Sequence, residues 1–253
     1  MIKKGIVLAG GSGKRMEPAT NVTNKHLLPL HDKPMIYYPI MSLMREGITN
    51  ILVTLGGNAV GDIVTVLAEE KRFDGVDFTF RYQRSAGGIA DALKLAEDFV
   101  GNDRFAVFLG DNILQGGLGS AIREFDDDRD AQAMVFLKRV TDPHRFGVAI
   151  VEDDRIVDVV EKPKDPPSNL AVVGVYLYTP HVFSVVQTLK PSRRDELEVS
   201  DIQRHYAKAG TLRHRVIDND WTDAGTPYSF VRANMAVMDA EERERVWYDI
   251  NQD

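Results

Sequence analysis

Short apolar runs and amphipathic stretches alternate through the first half of the chain. Gly5–Ala9 is an apolar run that ends in glycines, the pattern of a buried strand. Met35–Arg45 has helical apolar spacing and stops at Gly47, and Pro34 suits the first position of that helix. Asn50–Leu55 reads as a strand, Ala59–Arg72 as a helix, Val76–Tyr82 as a strand, Ile89–Phe99 as a helix and Arg104–Leu109 as a strand. This alternation predicts right-handed βαβ units and a parallel sheet, hence an α/β fold. The second half changes character. Ala131–Lys138, Arg145–Val151, Arg155–Glu161 and Val172–Tyr178 are strand-like, and helices are predicted at His181–Leu189, Val199–Ala209 and Pro227–Ala240. A β-rich lobe set on an α/β lobe fits that order. No Pro/Gly/Ser-rich linker and no repeat divides the chain. The acidic patches Asp126–Asp128, Glu152–Asp154 and Glu241–Glu244 read as solvated faces.

Composition narrows the chemistry. None of the 253 residues is cysteine, which excludes a disulfide scaffold, a Cys-based zinc site, a thiolate nucleophile and an iron–sulfur cluster. With 43% apolar and 27% charged residues the chain is expected to fold. The net charge of −7 argues against a dedicated nucleic-acid binder, yet a local cluster of cations and backbone N–H groups could still hold a phosphate ligand. No apolar run approaches the roughly 18–20 residues of a membrane helix. The opening MIKKGIVLAGG is too short in its apolar part for a signal peptide and runs into Gly13, Lys14 and Arg15. A soluble, cytoplasmic protein with no membrane or nucleic-acid partner is the expectation.

The strongest local signal is Leu8-Ala9-Gly10-Gly11-Ser12-Gly13-Lys14-Arg15. A buried strand feeds a loop whose glycines let backbone N–H groups converge on an anion, and Arg15 can add charge-assisted hydrogen bonds to phosphate. The loop fails the Walker pattern, because Arg15 follows Lys14 and Leu8 stands where the first glycine belongs. It fails the dinucleotide fingerprint as well, with Met16 in place of the third glycine. An ordinary strand-to-loop turn remains open on the loop alone. Lys25, Leu27-Leu28-Pro29-Leu30 and Lys33-Pro34 follow and bring another cation near the same loop. Asp111 follows the apolar strand Phe105–Leu109, which puts a carboxylate at the carboxyl end of a parallel strand, where open α/β sheets bind ligands. Asp223 lies in a predicted turn before a helix. Taken singly, each aspartate also suits a turn or a helix cap. The six histidines show no ligand spacing, and none is given a chemical role.

The stretch LAGGSGKRMEPATNVTNKHLLPLHDKPMIYYPI resembles the signature of the sugar-phosphate nucleotidylyltransferases. The resemblance continues in order through Tyr82-Gln83, Gly88-Ile89-Ala90, Leu109-Gly110-Asp111-Asn112, Glu161-Lys162-Pro163, Gly174-Val175-Tyr176, Glu196-Leu197-Glu198 and Trp221-Thr222-Asp223-Ala224-Gly225-Thr226. It implies a Rossmann-like, mixed, mostly parallel sheet with flanking helices, of the nucleotidyltransferase and GT-A-like kind, with a smaller β-rich sugar-binding lobe. One domain is expected over residues 1–253: a nucleotide-binding lobe at about 1–130, a sugar-binding lobe at 131–226, and a C-terminal helix and tail at 227–253.

The implied reaction joins a nucleoside triphosphate, with dTTP expected, to a sugar-1-phosphate, with glucose-1-phosphate expected. By resemblance, Leu8, Ala9, Gly10, Gly11, Ser12, Gly13, Arg15, Gln83, Gly88 and Asp111 bind the nucleotide. Asn112, Gly147, Glu161, Lys162 and Val172 meet the sugar. Asp111 and Asp223 hold Mg²⁺, while Arg15, Lys25 and Lys162 act on the phosphates. A homo-oligomer and weak or absent feedback inhibition are further expectations, the latter because longer members of the family carry more C-terminal helices. Glycine in place of the family's prolines after Gln83 is expected to loosen that loop. The same fold with UTP or another nucleotide and another sugar-1-phosphate, or a catalytically silent nucleotide-sugar-binding regulatory relative, are the rival readings. The missing third glycine disfavours a dinucleotide-dependent oxidoreductase.

Overall fold

In the computed structural model, which describes residues 1–85, 87–218, 221–243 and 245, one nine-stranded mixed sheet carries the molecule. Its N-terminal part is built from β1 (Lys4–Ala9), a two-residue hairpin β2 (Pro29–Leu30) and β3 (Lys33–Pro34), α1 (Tyr37–Arg45), β4 (Asn50–Leu55), α2 (Val60–Glu69), β5 (Asp77–Tyr82), α3 (Ile89–Lys94), α4 (Glu97–Val100) and β6 (Phe105–Leu109). The neighbours β6-β1-β4-β5 are all parallel. β7 (Asn112–Leu114), α5 (Gly119–Asp127), β8 (Ala133–Arg139), β9 (Gly147–Glu152), β10 (Arg155–Glu161) and β11 (Leu170–Tyr178) follow. Then come α6 (His181–Thr188), α7 (Val199–Lys208), β12 (Leu212–Val216), β13 (Trp221–Asp223) and α8 (Pro227–Val237).

The apolar runs are continuous because helices cover both faces of the sheet. Ile6, Leu52 and Val107 join one core with α3, α6 and α7. Their chain neighbours Val7, Val53 and Phe108 join the other, with α1, α2 and α5.

The fold departs from the sequence reading at several places. Pro34 ends β3 rather than opening a helix, and α1 starts at Tyr37. The helix expected over Ile89–Phe99 is divided into α3 and α4. Arg145 closes a turn ahead of β9 instead of lying in the strand. Four elements carry too weak a pattern to be legible: α5, whose buried stripe is only Ala121, Ile122 and Phe125; β12; and β7 and β13, which pair as a ribbon. The helix expected to reach Ala240 turns extended at Met238. Glu244 of the last acidic patch and residues 246–253 of the expected tail lie outside the described residues.

One strand sets the geometry of the cleft. Val175–Tyr178 of β11 pair antiparallel with β6, while Ala171, earlier on the same strand, pairs with Val148 of β9. β11 therefore outruns the carboxyl end of β6 and carries the β9–β10 hairpin beyond it. The space between that hairpin and the carboxyl ends of β1 and β6 is the ligand position of open α/β sheets.

Candidate active site

A cleft of about 530 Å³ fills that space. Every residue singled out from the sequence lines it except Ala9, which is fully buried in β1 beside Leu55. A second hollow, of about 660 Å³ between β10, β12 and the end of α7, contains none of them.

The loop after β1 turns through Gly13 at φ +70°, a left-handed conformation that costs glycine little. Its carbonyl accepts from Met16 N at 2.8 Å and from Thr20 Oγ1 at 3.0 Å. Lys14–Met16 form a short turn that brings Arg15 into the cleft. Lys25 is held by its neighbours. Asn24 Oδ1 accepts from His26 N at 3.1 Å and lies 2.8 Å from His26 Nδ1, and Asn24 Nδ2 donates to Gly56 O and Asn58 O. His26 is buried. Loss of water, reinforced by the Lys25 charge, pushes its pKa down to about 3, so the ring is neutral.

Asp111 and Asp223, over a hundred residues apart in sequence, are joined by backbone. β13 pairs antiparallel with β7, Asp223 opposite Asn112, and Ala224 N donates to Asp111 O at 2.8 Å. Asp223 thus ends a strand and not the expected turn. A Cβ at Gly225 would lie 3.2 Å from Asp111 Oδ2, 3.2 Å from Asp223 Oδ2 and 3.0 Å from Arg15 Nη2. The two aspartates are nevertheless electrostatically distinct. Burial raises the Asp111 pKa, but Lys25 Nζ at 2.6 Å and the amide of Asn112 outweigh it and hold the carboxyl well below the usual range. Burial also raises Asp223, which Arg145 only partly offsets and which Asp111 reinforces, so its pKa stays above the usual value. Among the described residues no group of three or more His, Cys, Asp or Glu side chains is arranged to hold a metal. Any cation between these aspartates would need oxygen ligands from elsewhere as well.

Asn112 is 3% exposed and fully engaged. Its Oδ1 accepts from Trp221 Nε1 at 2.7 Å and Gly174 N at 3.1 Å, and its Nδ2 donates to Asp111 Oδ1 at 2.9 Å. One amide ties together β7, β11 and β13.

Gln83 lies against Gly10, where any Cβ would overlap its Oε1. Its Nε2 faces two acceptors, Gly88 O at 3.4 Å and Asp91 Oδ2 at 3.3 Å. The loop after Gln83 was expected to be loose. It is instead anchored on both sides of Gly88: Leu197 N donates to Gly87 O at 2.8 Å, and Ala90 N donates to Leu197 O at 3.3 Å. Ala86 within it lies outside the described residues.

On the far wall, pairing of β9 with β10 puts Gly147 opposite Glu161, and Glu161 Oε2 and Val172 Cβ would lie 3.6 and 4.0 Å from a Cβ at Gly147. Lys162 sits just past β10 at φ +41°, its N–H donating to Phe146 O at 3.0 Å. Glu161 Oε1 is 3.5 Å from Lys162 Nζ and accepts from Arg194 Nη2 at 3.1 Å. Arg194 also binds Glu198, which burial would raise but which Arg194 and Ser192 hold below its ordinary pKa. Sequence reasoning missed Arg145 and Arg194. Neither lies within one of the family-like stretches, and nothing in the residues around it marks it as ligand-facing.

The family model for nucleotidyl transferases matches residues 4–240, and the chain belongs to that family. It is 40% identical over 233 residues to a glucose-1-phosphate thymidylyltransferase of Neisseria meningitidis, covering 91% of this chain and 81% of that protein. It is 37% identical over 238 residues to a low-salt glycan biosynthesis nucleotidyltransferase of Haloferax volcanii, covering 93% of this chain and 66% of that protein. The glucose-1-phosphate thymidylyltransferase of Streptomyces antibioticus, 36% identical, is likewise covered to 66%. The chain thus spans a little under two thirds of the length of these last two relatives. Among solved structures, a Bacillus anthracis protein assigned as a glucose-1-phosphate thymidylyltransferase, in complex with a sucrose, superposes with a TM-score of 0.87 at 47% identity, covering 93% and 96% of the two chains. A UDP-glucose pyrophosphorylase complexed with UDP-glucose superposes at 0.83 with 26% identity, covering 93% and 98%.

Proposed function

We propose that the chain transfers a nucleotidyl group from dTTP to glucose-1-phosphate, releasing pyrophosphate and forming a dTDP-sugar. The observation that carries this reading is the convergence of Arg15, Asp111 and Asp223 on Gly225, beside a glycine loop and opposite Glu161 and Lys162. Thymidylyltransferase relatives at 40% and 36% identity support the choice of substrates.

An oxygen of the sugar-1-phosphate attacks the α-phosphorus, and the bond to the pyrophosphate oxygen breaks. Both reactants are polyanions, so most of the work is neutralisation and alignment. Gly10–Gly13 turn backbone N–H groups on the triphosphate, Arg15 takes its tail, and Lys25 sits at the reacting phosphate. Lys162 binds the incoming sugar phosphate, and Glu161 accepts sugar hydroxyls next to Gly147 and Val172. Acceptors around Gln83 Nε2 orient its amide, which leaves Oε1 for the N3–H of a thymine or uracil ring. Asn112 serves as the latch that orients Asp111, since its own polar atoms are taken.

Two carboxylate oxygens around a point that Gly225 leaves free fit a hard divalent cation such as Mg²⁺, completed by phosphate oxygens. Held by Asp111 and Asp223, such an ion would supply charge stabilisation at the α-phosphate.

Pyrophosphate release, measured with Mg²⁺ while dTTP, UTP, CTP, ATP and GTP are crossed against a panel of sugar-1-phosphates, tests the proposal. Release should require glucose-1-phosphate, be fastest with dTTP, and fall by at least about 100-fold in Asp111→Asn. Fastest release with UTP would favour the uridylyl reading that the pyrophosphorylase likeness keeps open. Silence across the panel with nucleotide still bound would favour a regulatory binding protein.

A further inference from the structure

The two carboxylates that meet at Gly225 are each already paired with a cation of the chain. Lys25 Nζ lies 2.6 Å from Asp111 Oδ2. Arg145 Nη2 donates to Asp223 Oδ1 at 3.1 Å and Oδ2 at 3.3 Å. The remaining side of the Arg145 guanidinium is fixed as well. Its Nη1 donates to Asp142 Oδ2 at 2.9 Å, and its central carbon lies 5.2 Å from the centre of the Phe146 ring. Phe146 in turn packs edge-on against Trp221, whose indole N–H reaches Asn112. Both ion pairs line the cleft and are shielded from water, with side-chain exposures of 11% and 14% in one pair and 23% and 16% in the other.

These pairs change what an approaching cation meets. Two bare carboxylates would attract a divalent ion strongly in such a shielded place, whereas two ion pairs present almost no net charge. A bare ion gains a carboxylate by displacing Lys25 or Arg145; Lys25 would then lose its carboxylate partner in a shielded place, and Arg145 would keep only Asp142. A triphosphate entering over the glycine loop brings acceptor oxygens that can take both cations at once. Arg145, with its planar fork of donors, is suited to exchange a carboxylate for a phosphate.

We propose that Arg145 and Lys25 are resident counter-ions. They keep the Asp111–Asp223 pair closed to a bare divalent cation and give it up when a triphosphate takes over their charge. Metal and nucleotide then load together, each strengthening the binding of the other by the same factor. This inference rests on the reading of the two aspartates as cation ligands and of the glycine loop as a triphosphate site.

Binding of Mn²⁺ to the intact chain, read by electron paramagnetic resonance of the free ion, tests it without turnover. Mn²⁺ is titrated alone and with α,β-methylene-dTTP, which cannot release pyrophosphate. The unaltered chain should bind Mn²⁺ at least about tenfold more tightly with the analogue than alone. Arg145→Gln should tighten binding of Mn²⁺ alone by about tenfold or more, narrow the gap between the two conditions, and lose that gain when combined with Asp223→Asn. Lys25→Gln should do the same through Asp111, which keeps the test alive if a melting curve finds Arg145→Gln unfolded. Weaker or unchanged binding of Mn²⁺ alone in both variants would overturn the inference and leave the two cations as mere positioning residues. Tighter binding in both variants with no effect of the analogue would keep the resident counter-ions and overturn their release by a nucleotide.

Discussion

A methyl group at Gly225 would press on Arg15 Nη2 at 3.0 Å and on Asp111 and Asp223 Oδ2 at 3.2 Å each. The backbone there does not need glycine's freedom, so the cost of a side chain is one of space. Gly225→Ala should lower kcat/KM for pyrophosphate release by about 100-fold, because small misplacements of aligned charges are costly, while the melting temperature stays within a few degrees. An unchanged rate would remove Gly225 from the site. At this scale the sequence was informative wherever a residue's own chemistry announces a role. Asp111 follows an apolar strand, and Arg15 follows a glycine loop. It placed Asn112 among the sugar contacts but gave no sign that its amide is engaged inside the protein, and it was silent on Arg145, whose partner Asp223 is 78 residues away.

Segments that the sequence read as separate turn out to hold one another in place. Gly88, just ahead of α3, has φ +94°, and a Cβ there would come within 2.6 Å of Leu197 O and 3.0 Å of Leu197 N. The base-side loop is therefore docked on the chain entering α7, and only glycine permits the approach. Gly88→Ala combines a strained backbone with a backbone collision. It should raise the KM for dTTP about tenfold or more, move that for glucose-1-phosphate much less, and cost about 1–3 kcal/mol of stability in urea unfolding. Equal changes in both KM values would argue against a base-side loop. The compositional reading of this loop as loosened weighed local freedom alone. Hydrogen bonds from Leu197, more than a hundred residues away, override it.

For the molecule as a whole, acid stability depends on buried groups whose protonation differs between the folded and unfolded chain. His26 is one. Its pKa is pushed down to about 3 in the fold against 6.5 when free, so on acidification the unfolded chain takes up the proton first. Stability carried by the neutral ring is present above pH 6.5 and drains away as the pH falls toward 3. Urea unfolding between pH 7 and 4.5 should show a steeper loss of stability in the unaltered chain than in His26→Gln, with slopes differing by up to about 1.4 kcal/mol per pH unit. Equal slopes would mean that His26 does not report on acid unfolding. Among the described residues no helix is long and apolar enough to cross a membrane.

Alternating apolar strands and helices, the glycine loop and the order of the family-like stretches were enough to determine the α/β class and the positions of β1, β4, β5 and β6. The apolar periodicity and the glycine loop are local signals, each from residues within about one element's length, where periodicity and turn chemistry act; the family-like stretches add their order along the chain. Tertiary structure alone decided that three-residue β7 and β13 pair, that β11 outruns β6 to raise the far wall, and that Lys25 and Arg145 neutralise the aspartates. Such pairings join residues distant along the chain, and short strands or single charges carry no periodicity from which their partners could be read.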